Sequence, residues 1–175
     1  MRALLLMLAA LLCAPAAAAA AGMDLTSSDL TPNRPMPAAH VYTRCGGANI
    51  SPALAWRGQP AAAKSLAVTM IDLSVKPALW SHWIVVGLPT ATSSLPRGVA
   101  ALPAGAKAVA GNFGDAAYDG PCPPAGSGVH RYQITVWAMP TASVAIAPDA
   151  PANEVLAMLS RSSIDHASLT VTAQR

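Results

Sequence analysis

Hydrophobic and polar residues alternate with a period of two in several short stretches, the spacing at which successive side chains of an extended strand face opposite ways. In Ser65–Asp72, Leu66, Val68 and Met70 share one face. His130–Met139 sets Tyr132, Ile134 and Val136 against Arg131, Gln133 and Thr135. Ser168–Ala173 reads as a C-terminal strand, and His40–Arg44 as a weaker one. His82–Leu88 is apolar on both faces and reads as a buried, central strand. One stretch has helical spacing: in Asn153–Arg161, Val155, Leu156 and Leu159 form an apolar stripe behind Pro151. The 16 prolines, with glycine, cut the rest into short pieces. Short strands, dense turns and one late helix predict a mainly β fold, a sandwich rather than a βαβ sheet.

The N-terminus departs from this pattern. Residues 1–22 carry one charge, Arg2, then the apolar run Ala3–Leu12, then Pro15 and an alanine tract ending at Gly22. A positive start, a short apolar stretch and a small-residue exit predict a secretory signal peptide. Pro15 and the weakly hydrophobic alanines make a membrane anchor a poorer reading, and Leu12 is too bulky before Cys13 for a lipoprotein site. The expected domain organisation is therefore a signal over 1–22 and a single domain over 23–175, periplasmic or secreted. No later apolar run approaches the ~20 residues that cross a bilayer.

Export changes the meaning of the three cysteines. Cys13 leaves with the signal, and Cys45 and Cys122 remain as a pair in an oxidising compartment, either disulfide-bonded or two buried thiols. The 175 residues hold 11 Lys and Arg against 8 Asp and Glu. The cations form no stripe, so a nucleic-acid surface is not expected.

The marks of common hydrolases are missing. There is no Gly-x-Ser-x-Gly elbow, Gly126-Ser127-Gly128 reads as a flexible loop, and the four histidines show no metal spacing. Glu154 is the single glutamate, which disfavours a paired-carboxylate glycosidase. What remains is a set of polar residues at strand ends: Asp72, His82, His130 and Tyr132. A carboxylate beside two imidazoles would orient the rings and offer donors to an anionic oxygen. Trp80, Trp83, Pro121, Pro123 and Pro124 could form an apolar wall.

These residues carry a resemblance. Cys45-Gly-Gly-Ala-Asn-Ile-Ser-Pro52 with Leu54-Ala-Trp56, then Trp80-Ser-His-Trp-Ile-Val-Val86, Gly111-Asn-Phe-Gly114, and Tyr118-Asp-Gly-Pro-Cys-Pro-Pro-Ala-Gly126 leading to His130-Arg-Tyr132 are similar to the motifs of the phosphatidylethanolamine-binding proteins, in the bacterial Raf-kinase-inhibitor-like branch. The resemblance implies an antiparallel β-sandwich with Greek-key connections and one or two short helices, one near the C-terminus. It implies a pocket for phosphate or a phospholipid head group, with Asp72, His82, His130 and Tyr132 as polar lining and Trp80, Gly120 and Pro121 on the rim. One departure is Asp72-Leu-Ser-Val-Lys-Pro77, where the family usually reads Asp-Pro-Asp-x-Pro; Lys76 adds a positive charge expected near the mouth.

The expected function is thus an exported, non-catalytic protein that binds a small anionic or phosphorylated ligand, without metal or cofactor. Two alternatives stand beside it: a hydrolase or lyase using an Asp/His acid–base pair, and an inhibitor-like partner of a protease or kinase. Peripheral contact with membrane lipid is compatible with the first.

Overall fold

The computed structural model of the chain describes residues 22–147 and 150–175; the expected signal, residues 1–22, lies outside them except for Gly22. In chain order the elements are β1 (Asp24–Thr26), β2 (Leu54–Arg57), β3 (Ser65–Asp72), β4 (Trp80–Leu88), β5 (Ser94–Leu95), β6 (Lys107–Ala108), β7 (His130–Met139), α1 (Ala152–Ser162) and β8 (Asp165–Ala173). They form a small sheet ordered β1-β2-β5 and a large one ordered β6-β4-β3-β7-β8. Every pairing between these strands is antiparallel. After the β3–β4 hairpin the chain crosses to the small sheet as β5, returns to the edge of the large sheet as β6 beside β4, and then enters beside β3 as β7. The expectation of a mainly β, antiparallel sandwich with a helix near the C-terminus is met.

Strand β3 shows how one sheet acquires two cores. All its residues are buried. Its alternation sends Leu66, Val68 and Met70 between the sheets, where they pack with Leu54, Trp56 and Leu95 of the small sheet. Ala67 and Ile71 face the other way and join Val155, Leu156 and Leu159 of α1. The helix extends one residue beyond the expected Asn153–Arg161 at each end and begins after Pro151, a residue suited to a helix start. Ile84 is fully buried on the helix side. Ile84→Val should therefore cost about 1 kcal/mol of stability; an unchanged urea midpoint would show that α1 does not press on this face.

The strand expected over His40–Arg44 is not formed. Two 3₁₀ turns, Ala38–His40 and Thr43–Cys45, stand there instead. Local bonds close them in place of a strand ladder, His40 N–H to the Pro37 carbonyl and Cys45 N–H to that of Tyr42. The short strands β1, β2, β5 and β6 carry too few residues to display a period.

Register decides what meets at one end of the large sheet. On β3, Asp72 pairs with Tyr132 of β7 and with Trp80 of β4. Between the pairs Met70–Trp83 and Ile71–Ser81, β4 carries one extra residue, His82. Such a bulge re-aims a side chain. Here consecutive residues turn to the same side: Trp83 enters the core between the sheets, and the His82 ring lies edge-on to Tyr132 at 5.1 Å.

Candidate functional site

A cavity of about 420 Å³ opens at this end of the sandwich. Asp72, His82, His130 and Tyr132 line it together with Trp80, so the ends of β3, β4 and β7 bring these five expected residues into one hollow. The four polar groups are all buried.

His130 is held at both ring nitrogens. Its Nδ1–H donates to Asp72 Oδ2 at 2.6 Å, and its Nε2 lies 2.9 Å from Ser127 Oγ. The other Asp72 oxygen accepts the Ser74 N–H at 2.8 Å, which fixes the carboxylate plane. A Ser at position 74 thus closes an Asx-type turn at the departure from the family pattern.

His82 is fastened by the main chain of Asp119. Its Nδ1 lies 2.8 Å from the Asp119 carbonyl, and its own carbonyl accepts the Asp119 N–H at 2.9 Å. Burial holds the imidazole below its ordinary value, against the opposing pull of that carbonyl and of the Asp72 charge. His82 is therefore neutral near neutrality, with Nδ1–H given to Asp119. Tyr132 is pushed up by burial first and the Asp72 charge second, so its phenol keeps its proton. The carboxyl of Asp119 is pushed up to about 6 by burial and by the neighbouring Asp115 carboxyl.

The apolar part of the cavity is aromatic. Phe113 is its hub, with ring centroids 5.1 Å from Tyr42, 5.9 Å from Trp80 and 5.2 Å from His82. Phe113 is placed by its neighbour: Asn112 Oδ1 accepts both the N–H and the hydroxyl of Ser81, at 2.8 and 2.7 Å. Tyr42 and Arg44 form one wall; Cys122, Pro123 and Pro124 form another. The Cys45–Cys122 disulfide joins the chain segments that carry them, with Cα atoms 5.6 Å apart.

Three expectations need correction. Trp83 does not face the cavity; it packs between the sheets, edge-on to Tyr118 at 5.6 Å. Gly120 and Pro121 do not line the cavity either. Pro121 faces a smaller recess with Met36 and Val41, and Gly120 is pressed against the His40–Tyr42 backbone. The cation lining the mouth is Arg44, and Val75 takes the place expected for Lys76. Sequence reading missed Ser127, Tyr42, Arg44 and Phe113. Phe113 lies in the Gly111–Gly114 motif and Ser127 between two glycines, but neither context marks a functional side chain.

Comparison with known proteins gives a consistent result. The family described as phosphatidylethanolamine-binding protein matches residues 26–174. The UPF0098 protein YbcL of Escherichia coli K12 is 35% identical over 161 residues, covering 87% of this chain and 88% of YbcL. YbhB of the same organism is 42% identical over 124 residues, covering 67% and 78%. The crystal structure of E. coli YbcL, described as a new member of the mammalian PEBP family, superposes with a TM-score of 0.83 at 32% identity, over 89% of this chain and 99% of that one.

Proposed function

The chain belongs to the phosphatidylethanolamine-binding protein family, and from that premise we propose that it is an exported binding protein for a small anionic or phosphorylated ligand. The observation that carries the reading is the convergence of His82, Tyr132 and the Asp72–His130 pair at one hollow with Arg44 beside it. Since His130 is already engaged at both nitrogens, the donors for an anion are the Tyr132 hydroxyl, the Arg44 guanidinium and protonated His82. The aromatic wall suits the organic part of such a ligand. Export rests on the pattern of residues 1–22.

Calorimetry with glycerophosphorylethanolamine and, separately, inorganic phosphate tests this reading. Binding should weaken about tenfold in Tyr132→Phe, the loss of roughly one charge-assisted hydrogen bond. No heat from either compound on the wild-type chain would overturn it.

Proton linkage gives a second test. An anion beside His82 favours the imidazolium, so binding takes up a proton and tightens as the pH falls below the ordinary imidazole value of 6.5. The phosphodiester is the right probe because it does not titrate in this range. His82→Gln should flatten the profile. In the free protein the sign is opposite for stability. The unfolded chain protonates first, so His82 subtracts stability as the pH drops from 6.5 through its own lower value.

A further inference from the structure

Anion binding leaves Ser127 without a role, yet its surroundings are those of a nucleophile. Its Oγ lies 2.9 Å from His130 Nε2, and His130 Nδ1 lies 2.6 Å from Asp72 Oδ2. Hydroxyl, imidazole and buried carboxylate stand in the order in which an imidazole takes a hydroxyl proton and a carboxylate stabilises the imidazolium that results. The Ser74 N–H on the second carboxylate oxygen keeps Asp72 from turning away. Ser127 is also presented to solvent. It is exposed between Gly126 (φ 77°) and Gly128 (φ 86°), a turn in which a side chain at either glycine would meet nothing within 4 Å. It stands at the cavity's edge, because its hydroxyl also reaches the carbonyl of Pro124 at 2.7 Å, and both Pro124 and His130 line the hollow.

We propose that Ser127 is an activated nucleophile that accepts the acyl group of a small apolar carboxylic ester. With Nδ1–H donated to Asp72, the lone pair of the His130 imidazole is the one at Nε2. Rotation of the Ser127 hydroxyl from the Pro124 carbonyl toward Nε2 hands over the proton as Oγ bonds to the ester carbonyl carbon. The ester C–O bond then breaks, and the proton passes from Nε2 to the departing alcohol oxygen. A water molecule, deprotonated by the same nitrogen, attacks the acyl-serine, releases the carboxylic acid and restores the hydroxyl. The aromatic surface of Tyr42, Phe113 and Trp80 in the adjoining cavity favours an apolar acyl chain.

This goes beyond the binding reading and shares His130 and Asp72 with it, so the experiment measures both on one preparation. The full chain is treated with a fluorophosphonate probe and assayed with p-nitrophenyl butyrate, and the untreated protein is titrated with glycerophosphorylethanolamine. One probe per chain should attach to the peptide carrying Ser127. Label and ester turnover should both vanish in Ser127→Ala, and labelling should slow about 100-fold or more in Asp72→Asn, where the amide no longer enforces the required tautomer. Because Ser127 is exposed, its alanine variant should melt like the wild type. No label on the wild-type chain, or label that persists in Ser127→Ala, overturns the nucleophile. Binding without labelling overturns it and leaves the binding reading standing; labelling without binding does the reverse.

Discussion

Gly120→Ala is expected to prevent stable folding, although the substitution adds a single methyl group. A Cβ at this position would lie 2.0 Å from the His40 carbonyl oxygen, 2.7 Å from the Tyr42 nitrogen and 2.8 Å from the Val41 carbonyl carbon. All three are backbone atoms, so no side-chain rotation can make room. The crossing is also tied on every side. Gly120 N–H donates to Asn49 Oδ1 at 2.7 Å, the Tyr118 hydroxyl donates to the His40 carbonyl at 2.7 Å, and Tyr42 N–H donates to the Pro121 carbonyl at 3.1 Å. Moving the segments apart breaks these bonds, at about 1 kcal/mol each, on top of overpacking that costs about 1–3 kcal/mol or more. The expected total is about 5 kcal/mol, enough to offset the whole stability of a domain at the lower end of the usual range. Gly114→Ala is the control. That glycine is left-handed, with φ 91°, but nothing lies within 4 Å of its missing Cβ, so strain of about 1–2 kcal/mol is all that applies. Urea denaturation of both variants checks the argument. A Gly120→Ala midpoint no lower than that of Gly114→Ala would mean that the segments are not crossed as described.

Gly120 also marks where the sequence stops being legible. The family resemblance sets Gly120 on the pocket rim, but what comes close to it is the chain's own backbone at His40–Tyr42. A motif reports that a position tolerates no side chain without saying what occupies the space. Strands β3, β7 and β8 were readable because each runs long enough for its alternation to show, and α1 because a helix pressed on a sheet keeps an apolar stripe. The His82 bulge was not readable. In a segment apolar on both faces, one inserted residue changes no hydrophobic pattern, yet it turns His82 toward Asp72 and Tyr132. Asp72, His82, His130 and Tyr132 were found as polar residues in otherwise apolar strands, an expensive placement that asks for a reason. Arg44 lies in a 3₁₀ turn and Phe113 in a loop, where a charge or a ring costs little, so their placement does not single them out. Ser127 was invisible for a different reason. Its significance lies in distances to His130 and Pro124 across a turn, and distances through space leave no periodic trace.

Removing the Asp72 carboxylate should strike stability and binding together, and two substitutions separate the effects. Asp72 is 3% exposed. In Asp72→Ala the His130 Nδ1–H and the Ser74 N–H lose their acceptor at once, and breaking a buried pair of this kind costs about 3–5 kcal/mol. Asp72→Asn retains volume and one carbonyl oxygen, so Ser74 keeps its partner, and the penalty should fall to about 1–3 kcal/mol for the charged hydrogen bond lost at His130. Chemistry should suffer more than stability in this second variant. An amide NH₂ toward Nδ1 favours the tautomer with its proton on Nε2, the reverse of the arrangement that Asp72 enforces. His82 responds as well, because the Asp72 charge is one of the influences holding its value up against burial. Without that charge the value falls further, so the acid-side tightening of phosphodiester binding should move to lower pH in Asp72→Asn. Urea midpoints and calorimetry across the acidic range measure the two consequences. If Asp72→Ala were as stable as the wild type, the pair would not be buried as described. If the binding profile of Asp72→Asn kept its midpoint, Asp72 and His82 would not share a site.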